Sequence, residues 1–205
     1  MIAIMDYNAG NLRSVYKAFR HIGCDCVITR DIEQIMHADG AVLPGVGSFG
    51  DTADTLDRFD LRRAALDYIG SGKPFLGICL GLQLLFDHSE ESPGAHGLGV
   101  LKGTVSKIPS GEGLKIPHMG WNSLQINPQS RLLNGLEANP YVYFVHSYYL
   151  NAADKSIVAA QTEYGVTIDA AVESGNVFAT QFHPEKSGAT GLKILENFAE
   201  IAGGK

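Results

Sequence analysis

The first ninety residues alternate short apolar runs with segments whose apolar residues recur at helical spacing. Runs at residues 2–5, 24–29, 40–45 and 74–78 predict four strands. Between the first two runs, five apolar residues fall on one helical face before Gly23: Leu12, Val15, Tyr16, Phe19 and Ile22. Asp31 is a candidate N-cap, and residues 51–72 predict helix with a break near Phe59–Asp60. This alternation is typical of a mostly parallel, flavodoxin-like sheet flanked by helices.

The second half has a different pattern. Short apolar runs at 98–108, 121–126, 141–150, 156–163, 166–174 and 176–184 are separated by Gly, Asn and Pro turns. They predict mixed or antiparallel strands before a final helix at about 190–201, whose inward face carries Leu192, Leu195, Phe198 and Ala199. We find no repeat or linker, and we expect a single α/β domain, residues 1–205, with a β-rich second half.

Composition narrows the function classes. The net charge of −6 and the lack of a Lys/Arg run disfavour a nucleic-acid or anionic-membrane partner. No apolar stretch approaches the ~18 residues of a membrane span. We expect no signal peptide, because residues 2–5 already form a predicted strand and Asp6 follows it. The three cysteines, Cys24, Cys26 and Cys79, indicate a reducing cytoplasm. Cys24 and Cys26 are expected to share one face of the second strand as core residues, so no metal site is predicted.

Cys79 lies in KPFLGICLGLQLLF, where a predicted strand at 74–78 meets a predicted helix at 80–86. Gly77 and Gly81 allow a sharp turn and close approach of other groups. A strand-turn-helix with a nucleophile at its apex is the elbow geometry, and a helix N-terminus favours thiolate over thiol. The alternative is a small buried hydrophobic residue, and this stretch alone does not decide between them.

The segment QFHPE, residues 181–185, supplies a candidate general base. In an extended segment His183 and Glu185 would share one face, with Pro184 stiffening the chain between them. A carboxylate can orient an imidazole and stabilise its charged form, so Cys79, His183 and Glu185 could form a nucleophile, base and acid. Surface His and Glu pairs are common, so His183 and Glu185 indicate catalysis only in combination with the Cys79 elbow.

The glycine loop LPGVGSFGD, residues 43–51, follows the third predicted strand. It could cradle a phosphate, but the Lys-Ser/Thr of a P-loop and G-x-G-x-x-G are both absent. An oxyanion loop fits better, since glycines let backbone N–H groups point at a developing negative oxygen. Strand three and the Cys79 elbow should end at the same edge of the sheet, where such folds bind ligands.

Together, PGVG, GICLGLQ and HPE resemble the class I (triad) glutamine amidotransferases. MDYNAGNLRSV, KIPHMGWN, YFVHSYY and HPEKS are similar to one branch, the glutaminase subunits of imidazole glycerol phosphate synthase in histidine biosynthesis. The resemblance runs nearly end to end. One position departs from the family pattern: a polar residue is expected after HPEKS, but this chain has Gly188. The difference puts only local loop contacts in doubt.

The resemblance implies that the Cys79 thiolate attacks the side-chain amide of L-glutamine, with His183 as acid and base and Glu185 orienting it. Other positions carry implied roles: the backbone amides of Val46 and Leu80 as oxyanion donors; Gly47, Gln83, Ser147 and Tyr148 for the amino-acid end of glutamine; Asn11, Trp121, Tyr143 and Lys186 facing the partner. That partner is a (βα)8-barrel cyclase subunit in a heterodimer, which uses the ammonia to make imidazole glycerol phosphate and the purine precursor AICAR. No cofactor is implied. Taken singly, Gln83 could be a helix-surface residue, Ser147 and Tyr148 a strand end, Trp121 a core residue and Lys186 a solvated charge.

Three alternatives stay open at this point. The chain could be the glutaminase of another synthase, such as that of pyridoxal phosphate, although PHMGWN disfavours this. It could be a stand-alone γ-glutamyl hydrolase or peptidase with the same triad, or a non-catalytic domain that kept the fold. Because Gly45 and Gly47 flank Val46, the oxyanion donor could stay hidden until a partner rearranges it, so we expect the isolated chain to be a poor glutaminase.

Overall fold

The computed structural model describes residues 1–8, 11–111 and 113–203. It contains twelve strands: β1 (Ile2–Met5), β2 (Cys26–Thr29), β3 (Gly40–Gly45), β4 (Phe75–Cys79), β5 (Gly103–Lys107), β6 (His118–Ser123), β7 (Gln125–Ile126), β8 (Tyr141–His146), β9 (Tyr148–Ala152), β10 (Val158–Glu163), β11 (Thr167–Ser174) and β12 (Val177–Thr180). Eight of them form one sheet in the order β2-β1-β3-β4-β12-β11-β10-β7. The first five strands are parallel and the remaining pairings are antiparallel, which confirms the predicted mostly parallel sheet and β-rich second half.

Six α-helices accompany the sheet: α1 (Leu12–His21), α2 (Ile32–His37), α3 (Phe49–Arg58), α4 (Leu61–Gly70), α5 (Leu80–Leu84) and α6 (Gly188–Ile201). Helices α1 and α6 pack on one face of the sheet, and α2 to α5 pack on the other. Successive strand residues point to opposite faces. In β1, Ala3 and Met5 accordingly join one apolar cluster while Ile2 and Ile4 join the other. None of the helices in the described ranges is long and apolar enough to cross a membrane.

Most predicted boundaries in the first ninety residues agree with these elements, whereas the single run predicted at 141–150 contains two strands, β8 and β9. Asp31 accepts hydrogen bonds from the Glu33 and Gln34 amides as the N-cap of α2. The predicted break near Phe59–Asp60 separates α3 from α4, with Asp60 at φ 57°. The helix predicted at 80–86 ends earlier, at Leu84, because the amides of the next two residues make i→i−3 bonds that tighten the last turn.

The prediction that Cys24 opens the second strand is wrong. Gly23 adopts φ 77°, and the Cys24 amide donates to the Phe19 carbonyl, which closes the C-terminus of α1 in a Schellman motif. The backbone amide of Cys24 is therefore bonded to α1 and cannot pair with a strand, and β2 begins at Cys26. Both thiols are still buried in the same apolar cluster, as predicted for core residues.

Two antiparallel ribbons complete the second half, β5 with β9 and β6 with β8. The final helix begins two residues before its predicted start. Its residues Leu195, Phe198 and Ala199 are buried, and Leu192 is partly buried. The β6–β8 ribbon lies beside the turn that follows β12, because the Tyr143 carbonyl accepts from the His183 amide at 3.0 Å.

Strand register brings three chain segments to one edge of the sheet. Strands β3, β4 and β12 are adjacent and parallel, with Gly45 opposite Cys79 and Thr180 opposite Ile78. The carboxyl ends of parallel strands meet at the same edge. The glycine loop, the Cys79 elbow and the segment leading to His183 therefore leave the sheet side by side.

The elbow depends on glycine because two backbones pass too closely for side chains. A Cβ added at Gly81 would lie 1.9 Å from the Leu43 carbonyl oxygen, and one at Gly77 would lie 2.6 Å from the Gly81 carbonyl oxygen. Distances below 3.0 Å to backbone atoms require the chain itself to shift. Helix α5 can follow β4 so sharply only while both positions lack a side chain.

We expect Gly81→Ala to lower the free energy of unfolding by about 1–3 kcal/mol, as overpacking of a tight interior does. Urea unfolding followed by circular dichroism measures this. Gly70→Ala is the matched control, because Gly70 ends a helix and an added Cβ meets nothing within 4 Å. The control should be neutral or stabilise the protein by up to ~1 kcal/mol. Equal stability of the two variants would contradict the packing argument.

Candidate active site

Cys79 occupies the apex of the strand-to-helix turn. Its backbone has φ 57° and ψ −107°, a strained conformation for a residue with a side chain, and it is the N-cap of α5. The turn directs the thiol into a cavity of about 350 Å³ while leaving the residue only 7% exposed. Leu80, the first residue of α5, lines the same cavity, and an amide at this position has no partner inside its own helix.

His183 and Glu185 meet, although the local backbone differs from the prediction. The predicted extended segment is wrong: Pro184–Lys186 form a single 3-10 turn with His183 as its N-cap. The turn brings His183 Nδ1 to 2.7 Å from Glu185 Oε1, and the two side chains are 2% and 0% exposed. The proline favours this turn, since it suits the first position of a helical turn.

Asn11 also contacts Glu185. Its side-chain Nδ2 donates to the same oxygen, Oε1, that receives His183 Nδ1. The resemblance assigned Asn11 to the partner surface only. The structure adds a contact with the carboxylate, which sequence reasoning missed because the two residues are 174 positions apart. Within the described residues, Glu185 Oε2 and His183 Nε2 have no hydrogen-bond partner.

The electrostatics of the site favour a charged imidazole. Burial lowers the pKa of His183, but the neighbouring Cys79 thiol and the Glu185 carboxylate raise it further, to about 9. A histidine beside a cysteine and a carboxylate can hold a proton near neutral pH and then release it to a reacting group. Cys79, His183 and Glu185 thus form a chemically coherent cluster.

The glycine loop lies directly against the elbow. A Cβ at Gly45 would come within 2.5 Å of the Leu80 Cβ, so this glycine is required by close packing. Gly47 is different: it has open space around it and φ +105°, a conformation that glycine adopts easily. Val46 lies between them and lines the cavity. Conformational freedom in this loop is therefore concentrated on the Gly47 side.

All four residues assigned to the amino-acid end of glutamine, Gly47, Gln83, Ser147 and Tyr148, line the cavity. Gln83 is 4% exposed, so it is not a helix-surface residue. Its Nε2 donates to the Tyr148 carbonyl at 3.0 Å, which joins α5 to the start of β9. The four residues belong to three motifs that are far apart in the sequence, and the fold brings them together around one cavity.

Glu91 is a cavity residue that sequence reasoning missed. It lines the same space as Cys79, and its Oε2 accepts from the Phe49 amide at the start of α3 at 2.8 Å. The residue lies in an irregular segment after α5, outside every motif and every periodic run. Only its long-range contact with α3 reveals its position.

A buried histidine pair supports the Tyr148 wall. His146 Nδ1 lies 2.9 Å from the Tyr148 carbonyl, and His118 Nδ1 lies 3.0 Å from His146 Nε2. Burial lowers the pKa of His118 to about 4 and that of His146 to about 3, so both are neutral at pH 7. Because a carbonyl only accepts, His146 carries its proton on Nδ1 and accepts on Nε2, and His118 must then donate from Nδ1.

The PHMGWN and YFVHSYY motifs are therefore joined by this pair. His118 is also stacked on Tyr164, with ring centroids 3.8 Å apart, and on Phe144 at 4.7 Å. The directed chain from His118 through His146 ends on a carbonyl of the cavity wall. A sequence motif could indicate that these histidines matter, but only the fold shows that they bond to each other.

An exposed apolar face borders the cavity. On the β6–β8 ribbon, Trp121 pairs with Tyr143, with their ring centroids 6.2 Å apart. Three large residues of this ribbon are unusually exposed: Met119 at 61%, Trp121 at 55% and Tyr141 at 60%. Trp121 is therefore not a core residue. We call Met119, Trp121, Tyr141 and Tyr143 the ribbon face.

The ribbon face is connected to the candidate active site. Lys186 lies with Nζ 5.9 Å from the centroid of the Tyr143 ring and also lines the cavity. The Tyr143 amide donates to Ser187 Oγ, just after the turn that carries Glu185, at 3.0 Å. A Cβ at Gly188 would reach the Trp121 ring at 4.0 Å, so the departure from the family pattern changes a contact of this face.

One group of side chains in the described ranges has metal-ligand spacing. Asp87, His88 and His96 are exposed on the segment after α5, with ligand atoms within 4.8 Å of one another. Both imidazoles face the Asp87 carboxylate, at 2.9 Å and 3.1 Å. This group lies outside the cavity residues, and the prediction that the chain needs no metal stays a prediction.

The raised pKa of His183 predicts a pH dependence of stability. A folded-state pKa of about 9 against an ordinary value of 6.5 means that the charged imidazole stabilises the fold. This contribution is complete below pH 6.5 and is lost as the pH rises through about 9. The stability gap between wild type and His183→Gln should narrow over that range in urea unfolding. A gap that does not change with pH would contradict the assignment, and exposed His88→Gln is the control.

The chain is similar to known proteins along nearly its whole length. A model of the family "Glutamine amidotransferase class-I" matches residues 3–202. The HisH protein of imidazole glycerol phosphate synthase from Methanothermobacter thermautotrophicus is 55% identical over 201 residues, covering 98% of each chain. The protein of the same name from Caldanaerobacter subterraneus subsp. tengcongensis is 50% identical, again covering 98% of each chain.

A solved structure supports the fold independently. A chain in the structure of PurLQS from Thermotoga maritima superposes with a TM-score of 0.74 at 23% identity, over 97% of each chain. At this identity the likeness shows the fold alone. Together with the family model and the HisH relatives, it confirms the resemblance found in the sequence motifs. The chain belongs to the class I glutamine amidotransferases and, within them, to the HisH subunits of imidazole glycerol phosphate synthase.

Proposed function

We propose that this chain, acting as a single cytoplasmic glutaminase domain, hydrolyses L-glutamine and delivers the ammonia to a separate (βα)8-barrel cyclase subunit. In this heterodimer the cyclase makes imidazole glycerol phosphate and AICAR in histidine biosynthesis, as the family resemblance implies. The observation that carries the proposal is that Cys79 and His183, the latter bonded to Glu185, line a cavity bordered by the ribbon face. Three free cysteines fit a reducing compartment.

The first half-reaction is nucleophilic. The Cys79 thiolate attacks the side-chain amide carbon of glutamine, and the C–N bond breaks as His183 gives a proton to the departing ammonia. The product on the enzyme is a γ-glutamyl thioester. The buried imidazole, with its raised pKa, is suited to hold this proton before attack.

The second half-reaction regenerates the thiol. His183, now neutral, accepts a proton from water, which attacks the thioester and expels the Cys79 thiolate with formation of glutamate. Glu185 receives the Nδ1 proton of His183 in a hydrogen bond throughout and so keeps Nε2 directed at the reacting groups. Asn11, which bonds to the same carboxylate oxygen, limits the orientations open to Glu185.

Two backbone amides would stabilise the tetrahedral oxygen, those of Leu80 and Val46. Leu80 follows the nucleophile at the start of α5, and Val46 lies in the loop packed against it. The amide of Leu80 is held by the elbow. That of Val46 depends on a loop whose neighbouring Gly47 adopts φ +105° in open space, so its orientation can change.

The remaining cavity groups fit a free amino acid. Gly47, Gln83, Ser147 and Tyr148 line the cavity and would offer polar contacts to the amino-acid end of glutamine. Glu91 supplies a carboxylate that would pair with the α-ammonium group of glutamine, while its Oε2 is held by the Phe49 amide. This favours a substrate with a free ammonium over a γ-glutamyl unit within a peptide.

Partner docking is supported by the ribbon face. Exposed aromatic side chains clustered beside a cavity are typical of interaction surfaces. The Val145 carbonyl on β8 lies 4.0 Å from Cys79 Sγ, so a protein docked on this ribbon would sit next to the nucleophile. Ammonia released there can pass to the partner before it meets bulk water.

Cys79→Ala tests the catalytic assignment. With the cyclase partner and its nucleotide substrate present, glutamine-dependent product formation should be abolished, because the nucleophile is gone. Formation of the same product from added ammonia salts should be unchanged, since that reaction does not use this cavity. Loss of both activities would indicate a failure of folding or assembly, and retained glutamine use would contradict the proposal.

Trp121→Ala tests the docking face. Truncating a central aromatic residue of an interface typically costs about 2 kcal/mol, which corresponds to roughly a 30-fold weaker complex. The measurement is the concentration of the barrel partner that half-saturates the stimulation of glutaminase. Ile32→Ala, at an exposed apolar residue on α2, is the control and should leave this concentration unchanged.

The same titration tests partner dependence. Removal of one oxyanion donor costs ~10²–10³ in rate, so the isolated chain should be slower than the complex by at least about 100-fold. Full glutamine turnover by the isolated chain, unchanged by the barrel partner, would contradict the proposed control of the Val46 amide.

A further inference from the structure

Gln181 carries a buried side-chain amide beside Cys79. The proposed mechanism does not use this amide. The side chain is 0% exposed, and its Nε2 lies 3.7 Å from Cys79 Sγ. The Gln181 main-chain amide donates to the Ala170 carbonyl at 2.8 Å. The residue is therefore anchored by the sheet rather than by the glycine-loop side of the cavity.

The orientation of the Gln181 amide follows from its neighbours. Gln83 Nε2 lies 3.0 Å from the Tyr148 carbonyl, which can only accept, so the Gln83 nitrogen is on that side. The same nitrogen lies 3.1 Å from Gln181 Oε1 and uses its second hydrogen there. Gln181 must present its oxygen to Gln83, and its NH₂ group is left facing the sulfur of Cys79.

We propose that Gln181 is a catalytic residue that donates an N–H hydrogen bond to the Cys79 sulfur and stabilises its thiolate form. The inference rests on the proposed role of Cys79 as nucleophile. A thiol accepts hydrogen bonds weakly, whereas an anionic sulfur accepts a charge-assisted bond that is about twice as strong. A donor held at this position consequently stabilises thiolate over thiol, and the thiolate is the species that attacks.

The same bond assists both half-reactions. When the thioester forms, the sulfur loses its charge and the bond weakens. When water attacks the thioester, the charge returns to the departing sulfur and the bond strengthens again. His183 changes its protonation state between these steps, but the Gln181 amide does not titrate, so its donor is available in each of them.

The other titratable or charged groups around the thiol are the same in each variant that tests the proposal. The titratable or charged groups that line the cavity with Cys79 are Glu91, His146, Tyr148, His183 and Lys186. Tyr7 lies near the thiol as well, and Glu185 contacts His183. Of these groups, His183 lies directly beside the thiol, and its positive charge interacts with the sulfur. The test therefore has to change the amide donor while His183 is retained.

The experiment measures the alkylation rate of Cys79 by iodoacetamide in the isolated chain against pH, resolved by peptide mass spectrometry. Gln181→Met keeps the length of the side chain but removes the donor. Hydrogen bonds to charged groups predict about a tenfold fall in thiolate at a given pH, or a midpoint higher by about one pH unit. Gln181→Glu should raise the midpoint further, since it sets an oxygen against the sulfur.

Two internal references show whether a variant is still folded. Burial raises the pKa of Cys24 and raises that of Cys26 to about 11, so these thiols should react slowly in every folded variant. Gln161→Met is the matched control. It removes an amide that donates to Asp169 at 2.8 Å, away from the cavity, and should leave the Cys79 midpoint unchanged.

An unchanged Cys79 midpoint in Gln181→Met, with Cys24 and Cys26 still protected, would overturn the proposal. So would an equal shift in Gln161→Met. The readout needs no glutamine turnover, so it separates this inference from the proposed function, which Cys79→Ala decides. If the expected shift occurs, glutamine-dependent activity of the complex should fall about tenfold near neutral pH, with ammonia-dependent activity unchanged.

Discussion

The close passage of two backbones at the end of β4 is the constraint on which the candidate site depends. Gly81 sits against the Leu43 carbonyl and Gly77 sits against the Gly81 carbonyl, with no room for a side chain at either. This contact lets α5 turn back directly from the strand and forces Cys79 to φ 57°. The strained residue, Cys79, is the proposed nucleophile, and the packing around it offsets the cost of the strain.

The hydrogen bonds around the cavity have a fixed donor and acceptor direction, because a backbone carbonyl can only accept. The Tyr148 carbonyl accepts from both Gln83 and His146, and these contacts determine the orientation of Gln181 and the tautomers of the histidine pair. On the other side of Cys79, Asn11 donates to Glu185, and Glu185 in turn holds His183. The thiol is thus approached by a neutral donor from one side and a titrating imidazole from the other.

The boundaries of the regular elements were predictable where local chemistry decides them, as at the Asp31 cap and the α3–α4 break. The expectation failed at Cys24, because a glycine in the left-handed region recruits its amide to close α1. It also failed at His183–Glu185, where the side chains meet through a 3-10 turn rather than an extended strand. In both cases the sequence predicted the correct role for the side chains. The alternation of apolar and polar residues did not predict the backbone conformation.

Fold class, the glycines of the elbow, the reactive residue types and the family could all be predicted from the amino-acid sequence. These properties follow from periodicity and from short motifs, which are local. Only the folded chain shows that Glu91 enters the cavity, that Asn11 bonds to Glu185, and that Gln181 donates toward Cys79. Each of these is a contact between segments far apart in the chain, and such contacts leave no local pattern in the residues that make them. The contact of Gln181 with Cys79, for example, follows from the parallel pairing of β12 with β4.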